Sequence, residues 1–459
     1  MLQGIHSKTK FPIFLISILV FTFTHQSSFA AAPKAGANCQ KIGQTINAGS
    51  SQLECRWIAN GKKIYFLLSK KVNDLPPIQS PELFTTCRVP EQIKNKIDNW
   101  TAPLSIAYPA KKSILNPVGS NSYLIFPIDF SDAVGTGSPE KLLEPEVKKI
   151  NEWFDWYSNG KTSMKIDYPK NWVRSTYRAE DLITFRDPGN PGNPKGKLSD
   201  SRLIEALLSD AETIYDLSKY KGVYFLPSMA AKSLQYGVFL NSSFRTPKGT
   251  FTGGGYIYAN TAFERNEFVW AFIMHDFLHS FGLALHAPDQ QLPFGIQSSA
   301  SGGLGINEWD SMTLGWTLPE DIYCTSKEKL ITFDLKLVPI EREQKGIQSI
   351  MIKISPSQVL IVESHRRDKW GTKFTAGFYG VTTYLVDTSI QNDPSKPDSD
   401  TTRFANYLLN PDAKKRMLSN RPAWESYVLY QGESFITHGI KISLIKSGDN
   451  DTVRISKIS

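Results

Sequence analysis

Residues 265–282, RNEFVWAFIMHDFLHSFG, decide how the middle of this chain folds. No glycine or proline interrupts the run before Gly282, Asn266 stands where an N-cap belongs, and Gly282 stands where a C-terminal cap belongs. The pattern predicts a helix. Its apolar residues cover most of the circumference, so that helix should be buried on nearly every side. Positions four apart share a helix face, which sets His275 beside His279. The chain has only 7 histidines, and three of them fall within residues 275–286.

Two neutral imidazoles on one face can each give a nitrogen to Zn²⁺ at ~2.0–2.1 Å, with a rigid helix setting their separation. A third ligand has to come from beyond the helix. Gly282 lets the chain turn, and His286 follows closely enough to swing back beneath the pair. A lone histidine would read as a satisfied core residue, but a cluster of three on a buried helix reads as a metal site. Asp276, directly after the first histidine, is then the candidate general base.

HDFLHSFG resembles the H-E-x-x-H-x-x-G motif of zincin metallopeptidases, and the glycine with a nearby third histidine resembles the metzincin extension. WYSNGKTSM (156–164) and INEWDSMTLGW (306–316) resemble segments that flank the motif in secreted peptidases of the immune inhibitor A type. The resemblance covers about residues 120–320 and, more loosely, the β-rich tail. It implies a zincin-like mixed-sheet catalytic domain and zinc-dependent cleavage of protein or peptide substrates. His275, His279 and His286 would be the zinc ligands and Asp276 the base.

The chain departs from the family pattern in three places. Metzincins place the third histidine three residues after the glycine, where Leu285 stands here; His286 comes one later, and Asp289 is a rival ligand. The methionine beneath the metal has no obvious counterpart: Met312 is available, while GIQSS carries Gln297 where that methionine is expected. Asp276 replaces the usual glutamate and is one methylene shorter. The competing expectation is therefore a non-catalytic secreted binding protein that retains a degenerate zincin fold.

Around this centre the chain divides into regions. MLQGIHSKTKFPIFLISILVFTFTHQSSFAAAPK has the basic, apolar and small-residue order of a secretory signal peptide, with cleavage expected after Ala30 or Ala32. The apolar run is short for a bilayer span of ~20 residues, so no membrane anchor is expected after its removal. Residues 31–98 predict a small disulfide-stapled β module, 99–324 the catalytic domain, and 325–459 a β-rich domain. In the catalytic region SYLIFPIDF and GVYFLP are candidate buried strands. PEKLLEPEVKKINEWFDWYSNGK and DSRLIEALLSDAETIYDLSKY are amphipathic helices, the second capped at Asp200 or Ser201. GTFTGGGYIYAN has no P-loop lysine and reads as an edge strand or flexible rim, with YIYAN a candidate to pair with an extended substrate.

Beyond residue 325, LITFDLKLVPI alternates Ile331, Phe333, Leu335 and Leu337 against polar neighbours, and IQSIMIKIS, QVLIVESHRR, GVTTYLVDTS, GIKISLIKS and DTVRISKI continue the pattern. Several short strands spaced this way predict a β-sandwich. The class expected for the whole chain is α+β. Glu363 and His365 share a strand face and are expected to pair structurally with Arg366 or Arg367. SGDNDTV reads as a turn in preference to a Ca²⁺ loop.

Charge and cysteine content narrow the setting. The 459-residue chain carries a formal +8, which falls to +6 when the signal peptide takes Lys8 and Lys10 with it. Basic and acidic residues are interspersed with no basic stripe, which argues against a nucleic-acid partner. Four cysteines on an exported chain, with no C-x-x-C pair, predict two disulfides. Of the three possible connectivities, Cys39–Cys55 with Cys87–Cys324 is preferred. No G-x-S-x-G elbow is present to support a serine hydrolase.

Overall fold

Cysteine pairing organises the start of the chain. A computed structural model describes residues 37–41, 44–48, 51–57, 63–68, 82–93, 105–182, 198–234, 238–257, 269–283, 294–298, 303–372, 374, 379–390, 405–409 and 427–458. The first strands, β1 (Thr45–Ala48), β2 (Ser51–Trp57) and β3 (Lys63–Leu68), form an antiparallel sheet. Cys39 bonds Cys55 beside Leu53, so a disulfide supplies much of this sheet's small core. Cys87 bonds Cys324 across 237 residues. Closing so long a loop stabilises the fold by on the order of 5 kcal/mol in the chain-entropy picture. Both pairs match the expected connectivity, and no cysteine is free. The signal-peptide region lies outside the described residues.

The central sheet contains β4 (Gly119–Asp129), β5 (Thr162–Asp167), β6 (Val173–Arg174), β7 (Gly222–Pro227), β8 (Val238–Thr246) and β9 (Gly249–Ile257). Its order is β5-β4-β7-β9-β8, with β6 also paired to β4. All neighbours are parallel except β8, which runs antiparallel to β9 at the edge. The expected strands SYLIFPIDF and GVYFLP are β4 and β7, buried on both faces as parallel strands require.

Helices cover both faces. α1 (Pro139–Tyr157) and α3 (Val269–Ser280) share one cluster with Tyr123, Ile125, Tyr224 and Tyr256, while α2 (Asp200–Glu212) packs with Leu124, Phe126, Val223 and Phe225 on the other side. The cap of α2 lies one residue before the first expected position: Ser199 is the N-cap, and its side chain accepts from Arg202 N at 3.4 Å. It stops at Glu212, short of the whole quoted segment.

GTFTGGGYI is neither rim nor edge. It is β9, paired on both sides by β7 and β8, so among the described residues β8 is the edge strand on that side. The glycines serve close packing: a Cβ on Gly254 would lie 2.7 Å from the Tyr123 hydroxyl, and one on Gly255 would lie 2.5 Å from Ile204 of α2. The last residues of YIYAN lie outside the described set.

After the short α4 (Glu308–Thr313), the chain forms two further sheets. One orders β10 (Ile322–Ser326), β12 (Ser349–Lys353), β13 (Gln358–Arg366), β14 (Tyr379–Asp387) and β15 (Asn406–Leu408), with β16 (Val428–Leu429) also on β14. The other orders β11 (Phe333–Leu337), β19 (Asp451–Lys457), β18 (Ile440–Lys446) and β17 (Ser434–Thr437). One apolar cluster combines Ile350, Leu360, Val362 and Leu385 of the first with Phe333, Ile442, Leu444 and Val453 of the second. The opposite face of the first sheet supplies Ile322, Met351, Ile361 and Tyr384 to a cluster with Trp309 and Met312 of α4. Phe333, Leu335 and Leu337 alternate inward as expected, but Ile331 precedes the strand and is 49% exposed. SGDNDTV contains the turn between β18 and β19. The described structure is thus mixed α/β with few helices and several sheets, compatible with the α+β class. Among the described residues, no helix is long and apolar enough to cross a membrane.

Candidate metal centre

α3 delivers the histidine pair as its sequence predicts. Val269, Ile273, Met274, Phe277 and Leu278 are buried around it, and Gly282 closes its C-terminal end in the left-handed region (φ 86°). The N-terminal end is held by α1: Glu146 accepts from Trp270 N at 2.6 Å, taking a donor that a helix start cannot satisfy itself. Burial pushes the Glu146 carboxyl up to about 7, against the pull of that hydrogen bond and of Lys149. Asn266, the expected N-cap, lies outside the described residues.

His275 Nε2 and His279 Nε2 face each other at 3.1 Å. Two ligand atoms on one tetrahedral zinc are about 3.3 Å apart, given Zn–N distances of ~2.0–2.1 Å. The pair therefore already has the spacing an ion requires. Ligand atoms of His275, Asp276 and His279 all lie within 4.8 Å of one another, making this the one group of its kind among the described residues. His286 and Asp289, the two candidates for a further ligand, lie outside the described residues.

The supporting contacts fit a metal equally well. His275 Nδ1 lies 2.8 Å from the Ile296 carbonyl, which can only accept, so Nδ1 carries the proton and Nε2 keeps its lone pair. His279 Nδ1 lies 2.8 Å from Gln297 Nε2, while Gln297 Oε1 is buried without a partner. Without a metal, His279 can donate from Nε2 to His275 and accept at Nδ1 from the amide. With both Nε2 lone pairs given to an ion, Nδ1 must donate, and turning the amide over offers it Oε1. Gln297 can serve either tautomer. It stands in the turn where the family's methionine was sought. Met312 instead packs with Trp309, Ile322 and the Cys87–Cys324 disulfide.

Asp276 turns toward the sheet, where its Oδ2 accepts from the Tyr224 hydroxyl at 2.6 Å. Burial pushes its carboxyl up to about 7, with the Tyr224 bond pulling the other way. Burial also lowers the pKa of His275, which favours the neutral, ligating form.

The two flanking segments, far apart in sequence, meet at the far end of α3. Lys161 Nζ donates to the carbonyls of Gly315 (2.7 Å) and Trp316 (2.9 Å), and Asn159 Nδ2 donates to Trp316 O at 3.1 Å. Trp316 in turn packs edge-on against Phe281 with ring centroids 5.6 Å apart.

The side chains of Glu363 and His365 take other partners than the expected arginines, although Arg366 Nη1 donates to the His365 carbonyl at 2.9 Å. Alternation along β13 points Arg366 to the other face, where it donates to Asp451 at 2.5 Å. His365 Nδ1 instead meets Glu341 at 2.7 Å and its Nε2 meets Thr382 at 2.9 Å, while Glu363 accepts from Tyr384 at 2.7 Å and Glu308 N at 2.8 Å. The carboxylate–imidazole–hydroxyl order imitates a nucleophile-activating triad. All three side chains are buried, however, so no substrate reaches the hydroxyl, and while burial opposes charge on His365, Glu341 and Glu363 raise its pKa. The role is structural: Phe294, in the turn that bonds the histidine pair, packs on the His365 ring at 5.4 Å.

Buried acids nearby make stability depend on pH. Burial pushes the Asp310 carboxyl up to about 7 from 3.8, Asn307 opposing and Glu363 adding. Between those values the folded protein holds a proton that the unfolded chain releases, so this contribution falls as pH rises from about 4 to about 7. The slope is at most ~1.4 kcal/mol per pH unit. Asp310→Asn should flatten the Tm-against-pH curve in that window, and a variant with the wild-type curve would show the carboxyl to be ionised in the fold.

Comparison of the chain with protein-family models gives no match, and neither does comparison with curated proteins.

Proposed function

We propose that this protein is a secreted, zinc-dependent endopeptidase with a zincin-like, metzincin-related catalytic domain and a C-terminal β-sandwich. The observation that carries the reading is the His275–His279 pair, with Nε2 atoms 3.1 Å apart on one turn of a buried helix and the Asp276 carboxyl within 4.8 Å. The disulfides and the apolar leader in the sequence support export.

His275 and His279 would hold zinc, with His286 as third ligand and Asp289 its rival. The ion supplies Lewis-acid polarisation of a peptide carbonyl and brings the pKa of a water to about 7. Asp276 takes the proton from the attacking water and passes it to the leaving amine. One carboxylate oxygen is occupied by Tyr224, so the other performs the transfer. The edge strand β8 offers its outer side to an extended peptide.

The test is digestion of an unstructured protein by the purified chain, with and without a chelator. Cleavage that the chelator stops supports the peptidase reading. Zinc-loaded protein that is inert toward every unfolded substrate favours the rival, a binding protein that retains the fold and the metal without turnover.

A further inference from the structure

We infer that the Tyr224 hydroxyl is a positioning group that compensates for the shortness of Asp276; the inference rests on the peptidase reading above. An aspartate at this helix position ends one methylene short of a glutamate, and its carboxylate needs something to fix its direction. Tyr224 provides it. The residue lies in the middle of β7, fully buried, with its ring stacked on Tyr256 at 5.8 Å between centroids and 29° between planes. In register, Tyr224 and Tyr256 are direct partners across β7 and β9, so each braces the other. The Tyr256 hydroxyl in turn bonds Asn241 Oδ1 at 2.8 Å and touches Ser280 Oγ on α3, tying the same helix to the edge strand.

The phenol thus comes from the buried central strand of the sheet and donates to Asp276 Oδ2 at 2.6 Å, the length of a charge-assisted bond. Committing Oδ2 to the sheet sets the rotation of a carboxyl group that has an oxygen within 4.8 Å of the histidine nitrogens. A glutamate in the same place would carry its carboxylate past the hydroxyl and lose the anchor. The tyrosine and the aspartate are therefore a matched pair, and neither should be replaceable alone.

Tyr224→Phe keeps the ring and its stacking and removes only the donor. Kinetics on an unfolded protein substrate should show kcat falling about 10–100-fold, the scale of a carboxylate misplaced by an ångström, with KM and zinc content unchanged. Asp276→Glu alone should be slower than wild type, and the Tyr224→Phe/Asp276→Glu double variant should lose less than the product of the two single losses. In metal-free protein, unfolding of Tyr224→Phe, Asp276→Ala and the double variant should be non-additive, a readout independent of turnover. Additive stabilities, an unchanged kcat in Tyr224→Phe, or an Asp276→Glu protein faster than wild type would each overturn the assignment. Failure of the peptidase reading shows separately, as absence of chelator-sensitive hydrolysis by the wild-type protein.

Discussion

Asp276→Asn is expected to slow peptide hydrolysis by about 10²–10⁴-fold while zinc content stays at the wild-type level. Asparagine has nearly the same shape and still offers an oxygen to the Tyr224 hydroxyl, so the anchor seen at 2.6 Å can persist. It cannot accept a proton from water. The substitution therefore separates proton transfer from architecture, because the histidines, Ile296 and Gln297 are untouched. If Asp276 only braced α3 against β7, any loss of rate would track a loss of stability. A folded, zinc-loaded Asp276→Asn protein with full activity would remove Asp276 from the mechanism.

The second large effect concerns the metal itself. His275→Ala or His279→Ala takes away one of the facing Nε2 atoms and should abolish tight zinc binding, measured by competition with a chromophoric chelator. Gln297→Leu tests the support beneath them: it keeps the volume but removes the amide that lies 2.8 Å from His279 Nδ1. Affinity should fall roughly 10–100-fold, the usual cost of losing a contact that orients a ligand. The histidine variants should lose more than that. His286→Ala and Asp289→Ala identify the third ligand; normal binding in the first with loss in the second would assign Asp289. Tight binding that survives His279→Ala would place the ion elsewhere.

Several features could be read from the sequence because they depend on local pattern. An apolar run free of glycine and proline up to Gly282 located α3, and four-residue spacing paired His275 with His279. Alternation located most strands after residue 325, and the short Cys39–Cys55 spacing suggested its bridge. What escaped was the choice of distant partners. Edge or interior position is a property of strand order, so GTFTGGGYI looked like a rim although β8 covers its outer side. Nothing near His365 in sequence points to Glu341, which reaches it from outside β13. Tyr224 looked like one more apolar residue of a buried strand, and Gln297 like a missing methionine. Their polar atoms acquire meaning only when α3 is laid against the sheet and the 294–298 turn is brought beneath it.

In the proposed peptidase the histidine pair holds a zinc ion used for hydrolysis. The most direct measurement is zinc content and hydrolytic rate on the same preparation, as zinc is returned to chelator-stripped protein. Equimolar zinc is expected in the purified mature chain, with loss of cleavage on stripping and recovery in proportion to the zinc rebound. Cleavage that continues at full rate in stripped protein, or a fully loaded chain that cleaves nothing, would contradict it.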